Sequence, residues 1–178
     1  MPQRNPVLEL LAGYKAFDGN EAALLERILE FVRREPACFE RSTQEGHLTG
    51  SAWVLDPAAK KVLLLHHAKL GKWLQPGGHA DGDPDLERVA RREVFEETGL
   101  EGLELSGNGI FDVDAHWIPA WKDDPGHWHF DVRFCFLADS NAPLRVNAES
   151  HELAWVPLDR VGEYTQEESV RRMVRKSG

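Results

Sequence analysis

The segment from Asp83 to Leu100 constrains the fold most, because it reads as one helix whose buried face changes character halfway along. Asp83 suits an N-cap, Pro84 the first helical position and Gly99 the residue just past the end, which predicts about four turns. Leu86, Val89 and Ala90 recur at the helical period and define an apolar stripe. The stripe continues through Glu93 and Glu97, where a helix packed on a core would carry leucines. Together with Glu96, these residues fall within an arc of roughly 100°. Carboxylates so close repel one another and stand at the negative end of the helix dipole, each effect costing roughly 0.2–1 kcal/mol. A solvated acidic face beside Arg91 and Arg92 is the plain alternative, but such a face would lie opposite the apolar stripe and would not replace it. A divalent cation removes the conflict. Phe95 points away from the acids and is apolar, which predicts a helix buried on more than one side, as in a layered sandwich.

Upstream, the strand-like run Lys61 to His66 is followed by Gln75-Pro76-Gly77-Gly78-His79, and Ala80-Asp81-Gly82 leads into the helix. From Gly78 through Arg92-Glu93-Val94-Phe95-Glu96-Glu97-Thr98-Gly99-Leu100 the chain resembles the Nudix box, G-x5-E-x7-R-E-U-x-E-E-x-G-U with U apolar. One fixed position departs: the first glutamate of the pattern falls on Pro84. In the family that glutamate partners the box arginine, so here Arg92 needs another partner, with Asp83 or Asp85 as substitutes. The box spans about 23 residues, and with the flanking strands and Trp155-Val156-Pro157-Leu158-Asp159 the resemblance covers roughly residues 47 to 165.

Outside the box, 178 residues with 42% hydrophobic side chains suffice for one well-packed domain. The first 45 residues read as two amphipathic helices. One carries Val7, Leu10, Leu11 and Tyr14, the other Leu24, Leu25, Ile28, Leu29, Phe31 and Val32. Residues 1–45 are therefore an N-terminal helical segment packed on a domain spanning 46–178, in one structural unit. The segment would cover a sheet edge or face, form a homodimer contact or wall the substrate site, and the sequence leaves the three open. Strands are expected at Gly50–Asp56, Lys61–His66, Gly107–Ile118, His127–Ala138 and Glu152–Val156, with a last helix from Glu163 to Lys176. This order predicts an α/β fold with a mixed sheet between helices, in agreement with the α/β/α sandwich that the resemblance implies.

A net charge of −9 argues against a nucleic-acid surface built on phosphate neutralisation. Cys38 and Cys135 lie far apart and form no C-x-x-C pair, so neither a disulfide framework nor a thiolate metal site is expected. No run of apolar residues is long enough to span a membrane, and a cytoplasmic location is expected.

The resemblance implies Mg²⁺, or Mn²⁺, held by Glu93 and Glu97, with Glu96 a further ligand or the base that orients water. It adds the carbonyl of Gly77 and a late carboxylate, for which Glu149 is the first choice and Glu152 the reserve. The implied activity is hydrolysis of a diphosphate linkage in a nucleoside diphosphate derivative, a small-molecule substrate, with Arg92 in the catalytic group. Alternatives on the same scaffold are an enzyme like isopentenyl-diphosphate isomerase, which needs an exposed Cys135, and a non-catalytic nucleotide sensor. Gly78, His79, His129 and Trp121 are candidate substrate contacts.

His127 and His129 alternate on one strand, near His116 on its expected partner. Such imidazoles could gather zinc or substrate phosphate, although ordinary hydrogen bonds along a polar cleft explain them with fewer assumptions. Trp117, Trp121 and Trp128 flank or occupy the 119–126 loop, where they anchor the loop or stack on a base. Trp53, Trp73 and Trp155 read as packing residues. Lys69, Lys72 and Arg133 offer charge to a diphosphate.

Overall fold

The computed structural model describes residues 4–58, 60–120 and 125–178. Two helices, α1 (Asn5–Gly13) and α2 (Gly19–Arg34), precede β1 (Gly46–Leu55), β2 (Lys61–His67) and the short strands β3 (Lys72–Leu74) and β4 (Gly77–His79). Helix α3 (Leu86–Thr98) follows, then β5 (Glu104–Ile118), β6 (His127–Leu137) and β7 (Ser150–Pro157). A 3₁₀ turn at Leu158–Arg160 leads into α4 (Val161–Tyr164) and α5 (Glu168–Lys176).

The strands form one mixed sheet in the order β3-β2-β1-β6-β5, with β4 added to β1 and β7 to β2. Strands β1 and β6 run parallel over their whole length, His47 opposite His129 and Leu55 opposite Leu137. Strand β1 touches β2 only where Leu55 meets Val62. Beyond that point β2 turns away to pair with β7, and β4 takes its place beside β1, Ser51 opposite Gly77 and Thr49 opposite His79. This divergence brings the glycine strand against the central strand of the sheet.

Side chains on β1 alternate between two filled faces. Leu48, Ala52 and Val54 share a core with Val89, Ala90 and Val94 of α3, Val7 and Leu11 of α1 and Ile28, Phe31 and Val32 of α2. On the opposite face Trp53, Leu55 and Cys135 pack with Val161 of α4 and Val170 and Met173 of α5. Helices thus cover both faces, the sandwich expected from the element order, and the N-terminal helices bury their apolar stripe on the same side as α3. None of the helices among the described residues is long and apolar enough to cross a membrane.

The structure corrects three local expectations. Helix α3 begins at Leu86, not Pro84, and its N-cap is Asp85, whose carboxylate accepts from the Arg88 N–H. Phe95 is 48% exposed, so α3 is covered along one broad face and not on a second side. The C-terminal helix is broken at Thr165, extended in conformation, into α4 and α5.

Candidate active site

The acidic stripe of α3 ends against β4. Burial deepens along it: the Glu96 side chain is largely exposed, the Glu93 side chain mostly covered, and Glu97 only 3% exposed. The Glu97 carboxylate accepts from the Gly77 N–H at 2.9 Å, which fixes the helix end to the glycine strand. Burial, only partly offset by that bond, and the charges of Glu93, Glu149 and Glu96 push the Glu97 carboxyl up to about 8. Glu93 is raised as well, burial again outweighing its bond to Arg92. Two raised carboxyls facing one another describe a site short of positive charge.

Glycines make the approach close enough. A Cβ on Gly78 would stand 2.5 Å from Glu93 Cδ, and one on Gly77 would collide with the Ser51 side chain. At the helix end Gly99 takes the left-handed conformation expected of it, φ 68°, and its N–H donates to the Phe95 carbonyl.

Arg92 solves the Pro84 problem in an unexpected way. Its guanidinium donates to the His79 carbonyl at 2.7 Å and to the Glu93 carboxylate at 2.9 Å, joining helix and glycine strand directly. Asp83 binds the Arg88 guanidinium instead, and Asp85 is the helix cap.

The loop before β7 closes the site. Asn147 Nδ2 donates to the Glu96 carbonyl and the Arg145 N–H donates to the Thr98 carbonyl, so this loop is bound to the acidic end of α3. Glu149 rides on it, exposed, with its N–H donating to Asn147 Oδ1, and its charge helps raise both Glu93 and Glu97. Asn147 and Arg145 were not legible as site residues, because only their position in space gives them the task. Glu152 lies on β7 opposite His66.

Other expectations divide. Arg133 is not available to a substrate: it is buried, and it donates to Asp131 and Asp112. Lys72 forms an ion pair with Glu167. Cys135 is buried among apolar side chains, its thiol pushed up to about 11 by that burial. Trp53 is fully buried, with its indole N–H donating to Ser177. Trp117 is half exposed and packs edge-on against Trp128, over which the Arg27 guanidinium lies 3.6 Å from the ring centroid. Trp121 lies outside the described residues.

The histidines gather differently from the expected trio. His116 does face His129 across the β5–β6 pair, but its ring bonds to Asp114. His116 keeps an edge contact with His129, ring centroids 5.5 Å apart, but the ring nitrogens that converge are those of His47, His79, His127 and His129. His47, which the sequence did not single out, is the most enclosed of the four.

The sequence model of the NUDIX domain matches residues 47–176. A mouse bis(5'-nucleosyl)-tetraphosphatase (asymmetrical) is 30% identical over 104 residues, covering 57% of this chain and 63% of that protein. The match therefore spans less than two thirds of the mouse relative. Among solved structures, a C. elegans Ap4A hydrolase superposes with a TM-score of 0.57 over 72% of this chain and 93% of that one, at 17% identity. The E. coli dihydroneopterin triphosphate pyrophosphohydrolase gives a TM-score of 0.58 over 72% and 92%, also at 17%. Likeness at that identity carries the fold alone.

Proposed function

Because the chain belongs to the NUDIX family, we propose that it is a divalent-cation-dependent hydrolase of a phosphoric anhydride bond in a nucleoside diphosphate derivative. The observation that carries this reading is the pair of enclosed carboxyls, Glu93 and Glu97, raised by burial and mutual repulsion beside the bare backbone of Gly77 and Gly78. Oxygen donors crowded in this way fit Mg²⁺ or Mn²⁺, which share such ligands with substrate phosphates and water. In this reading Glu93, Glu97 and the Gly77 carbonyl hold the cation, with Glu96 and Glu149 at its open side. Bound there, a dication would polarise the phosphoryl oxygens and acidify an attacking water.

The chain's own groups have separate tasks. Arg92 positions Glu93 against the glycine strand through its two bonds. Glu96, exposed at the mouth, is the carboxylate best able to orient or deprotonate water, since Glu97 is committed to Gly77. Gly78 lets a phosphate reach the backbone without meeting a side chain.

The relatives suggest where to look for the substrate. The mouse protein acts, by its name, on a bis(5'-nucleosyl) tetraphosphate, and dinucleoside polyphosphates belong at the head of the panel. An isomerase reading loses its thiol, because Cys135 is buried in an apolar cluster.

The test is phosphate release from dinucleoside polyphosphates, nucleoside triphosphates, nucleotide sugars, ADP-ribose, dinucleotide cofactors and coenzyme A, with Mg²⁺ or Mn²⁺. Turnover that requires the cation and falls by roughly 100-fold or more in Glu97→Gln is the expected result. Ligand binding without turnover on any substrate would favour a sensor, and normal turnover by Glu97→Gln would remove the metal-site assignment.

A further inference from the structure

Four histidines aim ring nitrogens at one small volume on the far side of the sheet from α3. The face follows from the strand register. Gly78 and Gly50 pair and face α3, where added Cβ atoms would meet Glu93 and the Leu86 carbonyl. His79 pairs with Thr49 and shares its opposite face, along with His47 two residues earlier on β1. Parallel pairing sets His129 directly against His47, and His127 lies two residues before it on β6. One nitrogen of each ring lies within 4.8 Å of those of the other three. The His47 ring is centred 4.8 Å from those of His79 and His127 and 5.0 Å from that of His129.

A self-satisfied polar cluster would be the simplest account, and the state of His47 opposes it. His47 is 2% exposed, and neither of its ring nitrogens has a hydrogen-bond partner among the described residues. Every neutral imidazole carries one donor and one acceptor, so leaving both buried and unmatched is costly. The orientation of His127, hydrogen-bonded at both ring nitrogens, also has the spacing of a metal site. Its Nδ1 donates to the Pro125 carbonyl at 2.8 Å, which leaves the Nε2 lone pair pointing at His129 Nε2, 3.2 Å away. Two imidazole nitrogens on one tetrahedral ion stand about 3.3 Å apart, from metal–nitrogen bonds of about 2.0–2.1 Å. A carbonyl holding the distal nitrogen is also the usual way a metal-binding histidine is oriented.

We propose that His47, His79, His127 and His129 bind one divalent transition-metal ion, for which Zn²⁺ fits an all-imidazole, four-ligand set best. Magnesium and calcium prefer oxygen, so this site is chemically distinct from the glutamates. With four protein ligands it is closed, a staple and not a second catalytic centre. It joins β1, β4 and the start of β6, and so braces from behind the strand whose Gly77 N–H and His79 carbonyl hold Glu97 and Arg92. The rings of His79 and His129 then serve the metal in place of the substrate. The assignment stands on the geometry of these four rings and does not depend on the hydrolase reading.

Metal content settles it, measured on untagged full-length protein stripped with chelator and dialysed against Zn²⁺ or Co²⁺ in excess Mg²⁺. One equivalent of Zn²⁺ per chain should remain, and Co²⁺ should give the intense visible absorption of a tetrahedral nitrogen site. His127→Ala and His129→Ala should each lose that equivalent and that band, whereas Glu93→Gln/Glu97→Gln should keep both. Absence of a bound equivalent in the wild type, or its loss only in the glutamate variant, would overturn the proposal. Should the histidine variants fail to fold, X-ray absorption on the zinc-loaded wild type decides by itself: four nitrogen neighbours support the site, and a shell containing carboxylate oxygen overturns it.

Discussion

Gly78 and Gly50 face each other across the β1–β4 pair, yet a methyl group at each would act on different parts of the molecule. At Gly78 the added carbon meets the end of the Glu93 side chain, which can swing aside. At Gly50 it would stand 2.6 Å from the Leu86 carbonyl, a backbone atom at the start of α3 that has nowhere to go. Gly78→Ala should therefore fold with stability changed by less than about 1 kcal/mol while losing activity on the order of 100-fold, because Glu93 is displaced. Gly50→Ala should lose about 1–3 kcal/mol of stability through overpacking. Denaturant titrations beside rate measurements check the pair, and an active Gly78→Ala enzyme would mean that Glu93 is not needed where it stands. The same scale shows what residue identity leaves open. Arg133, a plausible phosphate ligand by type, is consumed by two buried aspartates, Asp112 and Asp131, and the half-buried Asp114. His47 carried no distinguishing sequence context, and only the register of β1 against β6 sets it beside His129.

Among the elements, β5 bears the greatest burden as the edge of the sheet, and side chains from three helices satisfy its irregular stretch. A break in the pairing register near Ile110–Asp112 leaves backbone groups to be matched. The Val113 N–H donates to Glu21 of α2, Tyr14 at the end of α1 donates to the Phe111 carbonyl, and Arg172 of α5 donates to the Val113 carbonyl. Covered in this way, the edge is closed to a strand from another chain at Phe111 and Val113. Asp112 is the hub: it is fully buried and accepts from Arg133, Arg172 and Lys176. Removing one cation strands a buried charge, so Arg172→Met should cost about 3–5 kcal/mol despite its apolar replacement. Equilibrium urea unfolding reads this directly, and a loss below about 1 kcal/mol would show that the network contributes specificity without stability. The sequence led to a last helix in this region but gave no hint that its Arg172 and Lys176 reach a strand some sixty residues earlier.

For the molecule as a whole, that network sets the response to acid. Burial would raise Asp112 and Asp114, but bonds and charges from Arg172, Arg133 and their neighbours outweigh it and hold both below the usual carboxylate range. The unfolded chain, with ordinary aspartates near pH 3.9, then binds more protons than the folded one in that window. Stability from these groups is therefore complete above about pH 4 and is lost as pH falls through the lower folded values. Unfolding free energies measured across pH should drop steeply below about 4, with a shallower drop in Asp112→Asn. A wild-type curve that stays flat to about pH 2.5 would reject the linkage.

The acidic turn of α3, the glycines before it, most strands and the box that names the family were all legible in the sequence, because each is set by contacts within a few residues. Helix periodicity, capping chemistry and strand alternation are local properties, and errors such as the start of α3 or the break before α5 amount to a turn or less. What the tertiary structure decided is which distant residues meet. Thr49 and Asp131 lie 82 residues apart, and the parallel register of β1 and β6 that joins them also places His47 against His129. Strand order and register are chosen by the burial of both sheet faces at once, a property of the whole chain that no window of the sequence contains.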